Sequence, residues 1–507
     1  MSHPGNLTPM GKPTDSGFWT TNFLSYQCPA RSPFTDIQLL ARLPRWLKSD
    51  VNLAYTLERS TRAFVWPFYA PSIQRSQILG WAGYIKVDGL AWHWLGSPVP
   101  GNASTWISTE VTPTRTIITA RAGPMLLKVT FRSPVEPSDW SLQSFPFACM
   151  YVDGVASDGK QHSVQLYSDI SAEWVTNSLS TSIEWNTTTT SNTAYHQVHS
   201  INPVSVFTDV AEDSIAYYAM GVVSQSCLSS HMLQFATPGT GFTLTSDLPA
   251  QFGTVRDPNT GKFPVFAFAV NLGLTTTMDS VVWAMGLARD PVLTTSGSLR
   301  SSYFRSQHSI ISDVIFAFME DFPAAEARAS SLDSRILKDA SVIGPQYGDL
   351  LSLVTRQAMA GVEITVSKTS QGSWNLSDVQ GFMKDLGNSG HVNPTETIYS
   401  ALPTFLYLNA SLAGILLELL LQFQSSTSYN NSYAAPDTIS SNYPNAPGNP
   451  ADNSVYGVEN SGNMLILALA HARASGDGTL LNRYVCKPPS EFSSTYGNNS
   501  LKFSTMF

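Results

Sequence analysis

The residues best suited to chemistry fall in one polar stretch, Tyr433 to Asp477, which reads YAAPDTISSNYPNAPGNPADNSVYGVENSGNMLILALAHARASGD. It holds Tyr433, Asp437, Tyr443, Asn445, Asp452 and Glu459. A second carboxylate-bearing stretch, NLSDVQGFMKDLGNSGHVNPTE, lies upstream and carries Asp378, Asp385 and Glu396. Paired Asp and Glu side chains can supply a general acid and a general base whose pKa values are separated by environment. Hydrolases of glycosides or amides run on such a pair plus a water. Glu459 is the first candidate, Asp437 the second and Asp385 the third. Asn463 and Tyr433 are placed to orient a substrate, and Trp374, Tyr433 and Tyr443 can form a stacking wall. Each has a plainer use. Glu459 complements a helix N-terminus, Asp437 forms a turn after Pro436, and Asp385 ends a helix before Leu386-Gly387. Aromatic rings most often simply pack.

Other chemistries find less support. No GxSxG elbow is present. Ser157-Asp158-Gly159-Lys160 matches S-x-x-K in form, but that motif needs a helix and Asp-Gly marks a turn. His196 and His199 fall on opposite faces if their segment is a strand, and no carboxylate pattern joins them, so they read as exposed histidines and not as metal ligands. There is no Walker loop and no GxGxxG. Cys28, Cys149, Cys227 and Cys486 are widely spaced, without CxxC or metal spacing. Neither a metal nor a cofactor is expected.

The elements that must position these groups change character along the chain. Its 507 residues imply two to four domains. Residues 1–76 have no sustained period. From Gln77, ILGWAGYIKVDGLAWHWLG reads as two strands about a turn at Asp88-Gly89. Strand-like runs separated by Gly, Asp and Pro turns continue to about residue 304 and read as an antiparallel β-sandwich. Apolar residues then recur at helical spacing over 312–340, 347–366, 397–423 and 462–474, which predicts an all-α domain over 305–484, with Pro403 kinking or dividing the third run. The tail, 485–507, has no period.

Charged residues make up 13% of the chain, and the net charge of −8 excludes the basic face that nucleic acid requires. No apolar run reaches the roughly 18 residues of a membrane span. The start, MSHPGNLTPMGKPTDSG, lacks the apolar core of a secretory signal, yet sequons at Asn6, Asn102, Asn186, Asn375, Asn409, Asn430 and Asn498 suggest secreted ancestry. The expectation is an altered or missing N-terminus.

Several segments together resemble the fungal glutaminase A family of secreted proteins. They are SPVEPSDWSLQSFPFACMYVD (133–153), HSVQLYSDISAEWV (162–175), LDSRILKDASVIGPQYGDLLSLVTRQAMAGVEITV (332–366), VNPTETIYSALPTFLYLN (392–409), SSNYPNA (440–446) and VENSGNMLILALAHARASGD (458–477). The resemblance implies an N-terminal β-sandwich and a C-terminal six-hairpin domain of (α/α)₆-barrel type. It also implies hydrolysis of a small amide, glutamine, to glutamate and ammonia, by a secreted or wall-associated protein. The alternatives are a glycoside hydrolase of the same barrel class and a non-catalytic surface or carbohydrate-binding protein. The chain departs from the family in its opening, at Asn460, and near Tyr484, where the resemblance stops and about half a twelve-helix barrel is expected to be missing.

Overall fold

The computed structural model describes residues 81–96, 102–176, 178, 180–190, 192–203, 213–221, 229–231, 252–254, 264–295, 298–383, 391–438, 445–449 and 456–484. Two sheets face one another in the N-terminal part. The six-stranded sheet runs Ser229–His231, Val265–Thr275, His162–Ser171, Trp81–Val87, Leu90–Leu95 and Asn102–Ala103. The nine-stranded sheet runs Phe252–Thr254, Ser182–Thr189, Thr193–Ser200, Ile215–Gly221, Thr277–Ala288, Phe147–Ala156, Met125–Arg132, Arg115–Ala122 and Thr105–Val111. The expected Asp88-Gly89 hairpin is present, with both turn residues at positive φ, 49° and 85°. That geometry matches the right-handed twist of the flanking strands.

Between the sheets lies one apolar core that includes Trp81, Trp94, Trp174, Phe266 and Trp283. The strand Phe147–Ala156 shows why its sequence does not alternate. Ala148, Met150 and Val152 face this core, while Phe147, Cys149 and Tyr151 pack on the opposite side against Val314, Ile315 and Phe318. A strand buried on both faces reads as a continuous apolar run.

The helices are α1 (Trp140–Ser144), α2 (Ile311–Glu320), α3 (Phe322–Ser341), α4 (Pro345–Ala360), α5 (Thr395–Leu408), α6 (Ser411–Gln424), α7 (Gly457–Ser475) and α8 (Thr479–Tyr484). The helical region is not all-α, which corrects the sequence expectation. After Gly361 the chain forms a hairpin, Val362–Lys368 and Trp374–Met383. Val362, Ile364 and Val366 are wholly buried. A short apolar run continuing from a helix cannot be told from strand by period alone, and β-branched content was the available signal. The hairpin joins Ser298–Ser302, Leu293–Thr295 and Asn445–Ala446 in a five-stranded sheet, so strands from both sides of residue 304 share one ladder.

Pro403 does not divide its helix. The ring sits on the exposed side of α5, where the Tyr399 carbonyl it leaves unpaired can turn to water. The break falls at Asn409 instead. Its side chain donates to Pro137 O at 2.7 Å and accepts from Ser411 N at 3.0 Å, which starts α6 in a new direction.

Candidate functional site

The loop after α6 folds back over the start of α5. Over residues 433–438 its backbone groups belong to no ladder, so side chains and single bonds must satisfy them. Thr395 donates from N to Pro436 O (2.8 Å) and from Oγ1 to Ala435 O (2.9 Å). Thr438 donates from both N and Oγ1 to Val392 O, each at 2.9 Å. Gln424 of α6 accepts from Ala435 N at 3.0 Å, and Ser461 of α7 accepts from Ala434 N at 3.0 Å. Three helices therefore hold the segment that carries Asp437.

Asp437 lies inside this strap, its side chain 2% exposed. His391 Nδ1 stands 3.2 Å from Oδ2, and Asn449 Nδ2 donates to the two carboxylate oxygens at 3.3 and 3.1 Å. The His391 side chain is 39% exposed. Its backbone is set by Asn393, which adopts a left-handed φ of 53° and is fully buried. Asn393 Oδ1 accepts from Met383 N (2.7 Å), and Nδ2 donates to Gly381 O (3.2 Å) and Leu416 O (2.8 Å). A buried carboxylate beside a partly exposed imidazole can take up and return a proton.

His391 was missed in the sequence because the carboxylates around it drew the reading. Nothing in the spacing pairs it with Asp437. That pairing appears only when the loop folds back.

The remaining candidates are scattered. Glu459 lies in the first turn of α7, exposed, its carboxylate with no hydrogen bond or ion pair to a described residue. Asn463 is buried on the same helix beside Met464 and Leu467. Tyr433 is half-buried, its ring so close over Gly457 that a Cβ there would lie 2.3 Å from it. The structure thus brings Tyr433 to the start of the helix that bears Glu459. Trp374 sits at the tip of the hairpin, with Lys368 Nζ 4.7 Å from its ring centroid. Its partner Lys368 is six residues along the facing strand from Val362, the partner of Met383, so at about 3.3 Å per residue Trp374 stands roughly 20 Å from Met383, the residue bonded to Asn393, and does not share the Asp437 neighbourhood. Asp385 and Tyr443 lie outside the described residues. Asp378 accepts from Arg300 at 2.9 Å and from Ser367, and Glu396 is exposed in the first turn of α5.

His196 is not an exposed histidine. His196 and His199 do take opposite faces, but His196 is in the sandwich core. Its ring stacks on Phe268 at 4.3 Å and Nε2 lies 3.0 Å from Ala267 O, and burial pushes its pKa down to about 4. Ser157 to Lys160 form a turn with Gly159 at φ 71°. Among the described residues, no three His, Cys, Asp or Glu side chains gather as a metal set, and no helix is long and apolar enough to cross a membrane.

Two family profiles match in tandem. A domain of unknown function, DUF5127, covers residues 114–339, and the glutaminase A six helical-hairpin domain covers 344–487. The Glutaminase A of Aspergillus oryzae is 32% identical over 425 residues, spanning 82% of this chain and 60% of that protein. The chain belongs to the glutaminase A family. A "Probable glutaminase" of Arthroderma benhamiae is 26% identical over 374 residues, 68% of this chain and 41% of that protein. This member of the glutaminase A family therefore spans less than two thirds of either relative's length. A family GH92 α-mannosidase of Bacteroides thetaiotaomicron aligns over 93% of this chain and 62% of its own, at 9% identity and TM-score 0.34, too loosely to define the fold.

Proposed function

We propose that this glutaminase A family member is an amidohydrolase that converts glutamine to glutamate and ammonia by general acid/base chemistry organised on the Asp437 loop. The observation that carries the reading is Asp437 itself, a buried carboxylate paired with His391 in a strap held by three helices. A surface turn-former needs none of that support. Its relatives' names, Glutaminase A and a probable glutaminase, point to the side-chain amide as substrate.

In this reading a water attacks the amide carbon, and the proton it loses returns to the departing nitrogen. Glu459 is the second carboxylate, while Tyr433, packed on the start of α7, and Asn463 of that helix orient the substrate. No cofactor is required. The same proposal assigns residues 77–304 to the sandwich domain, and residues 305–484 to a helical domain of the (α/α)₆, six-hairpin type. It also assigns the protein to the cell exterior.

The test is ammonia release from glutamine, asparagine and a glutaminyl peptide, with an oligosaccharide panel alongside. Asp437→Asn is expected to lower kcat by about 100-fold, the size of a lost acid/base function. Sugar products without ammonia, or an Asp437→Asn variant as fast as wild type, would overturn the reading.

A further inference from the structure

We infer that His391, and not a carboxylate, is the group that exchanges protons with substrate, with Asp437 as its positioning residue. The inference rests on the proposed location of the reacting site at the Asp437 loop. Three observations carry it.

The first is access. The Asp437 side chain is 2% exposed and that of His391 is 39% exposed. A general base must come within hydrogen-bond reach of the water it deprotonates. The carboxylate is closed off by the strap, whereas the imidazole ring reaches solvent.

The second is the atom facing Asp437. It is Nδ1, 3.2 Å from Oδ2. A neutral imidazole meets a carboxylate with its N–H, so Nδ1 carries the hydrogen and Nε2 keeps its lone pair. A buried carboxylate behind Nδ1 fixes tautomer and ring plane, and stabilises the imidazolium that forms during proton transfer. Asn449 donates to the same carboxylate and holds it in place.

The third is the backbone beneath the ring. Two residues on, Asn393 takes a left-handed φ of 53° and ties three buried backbone groups together, from Met383, Gly381 and Leu416. Left-handed backbone is uncommon outside glycine, and asparagine is among the few residues that take it readily. Here it carries the chain from the five-stranded sheet into α5 and leaves His391 over Asp437. Glu459 has no comparable support, being exposed in the first turn of α7.

The step balances without a co-reactant. Nε2 removes a proton from water as the water oxygen bonds to the amide carbon, and the C=O π electrons move to oxygen. When the carbonyl re-forms, the C–N bond breaks and the imidazolium gives its proton to the leaving nitrogen. Ammonia and the carboxylic acid result, and His391 is neutral again.

Two measurements test this on the full chain. The first needs no substrate. In ¹⁵N-histidine-labelled protein, the His391 signal, identified by its loss in His391→Asn, is expected to show the Nδ1–H tautomer and to shift toward Nε2–H in Asp437→Asn. An Nε2–H tautomer in the wild type overturns the inference whatever the substrate. The second is kinetic. His391→Ala is expected to lose about 100-fold in kcat with KM within about threefold, and 0.1 M imidazole is expected to recover at least about tenfold. A merely structural role predicts no such rescue. Full activity in His391→Ala, or loss without rescue at an unchanged melting temperature, also overturns it. If wild type releases no ammonia yet shows the Nδ1–H tautomer, glutamine falls as substrate and the His391–Asp437 assignment stands.

Discussion

Asp333 on α3 accepts both the backbone N–H and the hydroxyl of Thr114, each at 2.9 Å, across the junction between helices and sandwich. Its other oxygen takes Arg115 Nε and Nη2 at 3.1 and 2.9 Å. From α4, Arg356 donates to Arg115 O and Thr116 Oγ1 at 2.8 and 2.7 Å. The end of one sheet strand is thus bolted to two helices. Asp333→Ala would strand a buried N–H, a hydroxyl and a guanidinium, at an expected cost of about 3 kcal/mol or more. Urea unfolding measures this, and a change below about 1 kcal/mol would show that the junction does not depend on Asp333.

Asp169 predicts a pH dependence. It is buried in the six-stranded sheet with Tyr167 OH donating to it at 2.6 Å, and desolvation raises its pKa to about 7 despite that bond. Between its ordinary value of 3.8 and about 7 the folded chain keeps this proton and the unfolded chain has released it. Unfolding then releases a proton, so this residue's contribution to stability falls as pH rises through that window, by up to ~1.4 kcal/mol per pH unit. Asp169→Asn should remove that slope. Equilibrium unfolding at pH 5, 6, 7 and 8 reads it, and parallel curves for the two proteins would rule it out.

Asn393 should separate backbone from side-chain effects. Asn393→Ala loses three buried hydrogen bonds and places an alanine at φ 53°, whereas Asn393→Gly loses only the bonds. Left-handed backbone costs a residue with a Cβ about 1 kcal/mol or more. Both variants are expected to be destabilised, the alanine by about 1 kcal/mol more. Equal midpoints in urea would show that the left-handed conformation is not retained.

Gly414 lets α6 come close to His471 of α7. A Cβ there would lie 2.5 Å from the His471 ring, which is itself buried with Nδ1 3.0 Å from Ala410 O. The ring cannot retreat without losing that bond. Gly414→Ala is therefore expected to destabilise by about 1–3 kcal/mol, although alanine favours helix. A higher melting temperature for the variant would mean that the helices separate freely.

Much was legible in the residues because it is local. Asp88-Gly89 fixed a hairpin through the φ values its turn demands, and the strands after it were marked by glycine and aspartate turns. The four helical runs were visible as periods, although the first is two helices, α2 and α3, and the third is α5 and α6. What failed was local too, in the sense that two local answers competed. Val362 to Val366 continued an apolar period and became a strand, because a sheet edge at Ser301 and Ser302 was waiting for it. Pro403 is a helix breaker by its chemistry and was tolerated by its exposure, which spacing cannot report.

The candidate site divides along the same line. Residue type was enough to put Asp437 among the carboxylates that can do chemistry, and the family's segments could be recognised in order along the chain. Which carboxylate is buried, which is bare to solvent and which has an imidazole beside it were decided by the fold-back of the loop over α5. Sequence carries residue identity and short-range preference. A pairing such as His391 with Asp437 depends on where two distant segments meet, and that is determined by the packing of α5, α6 and α7 together.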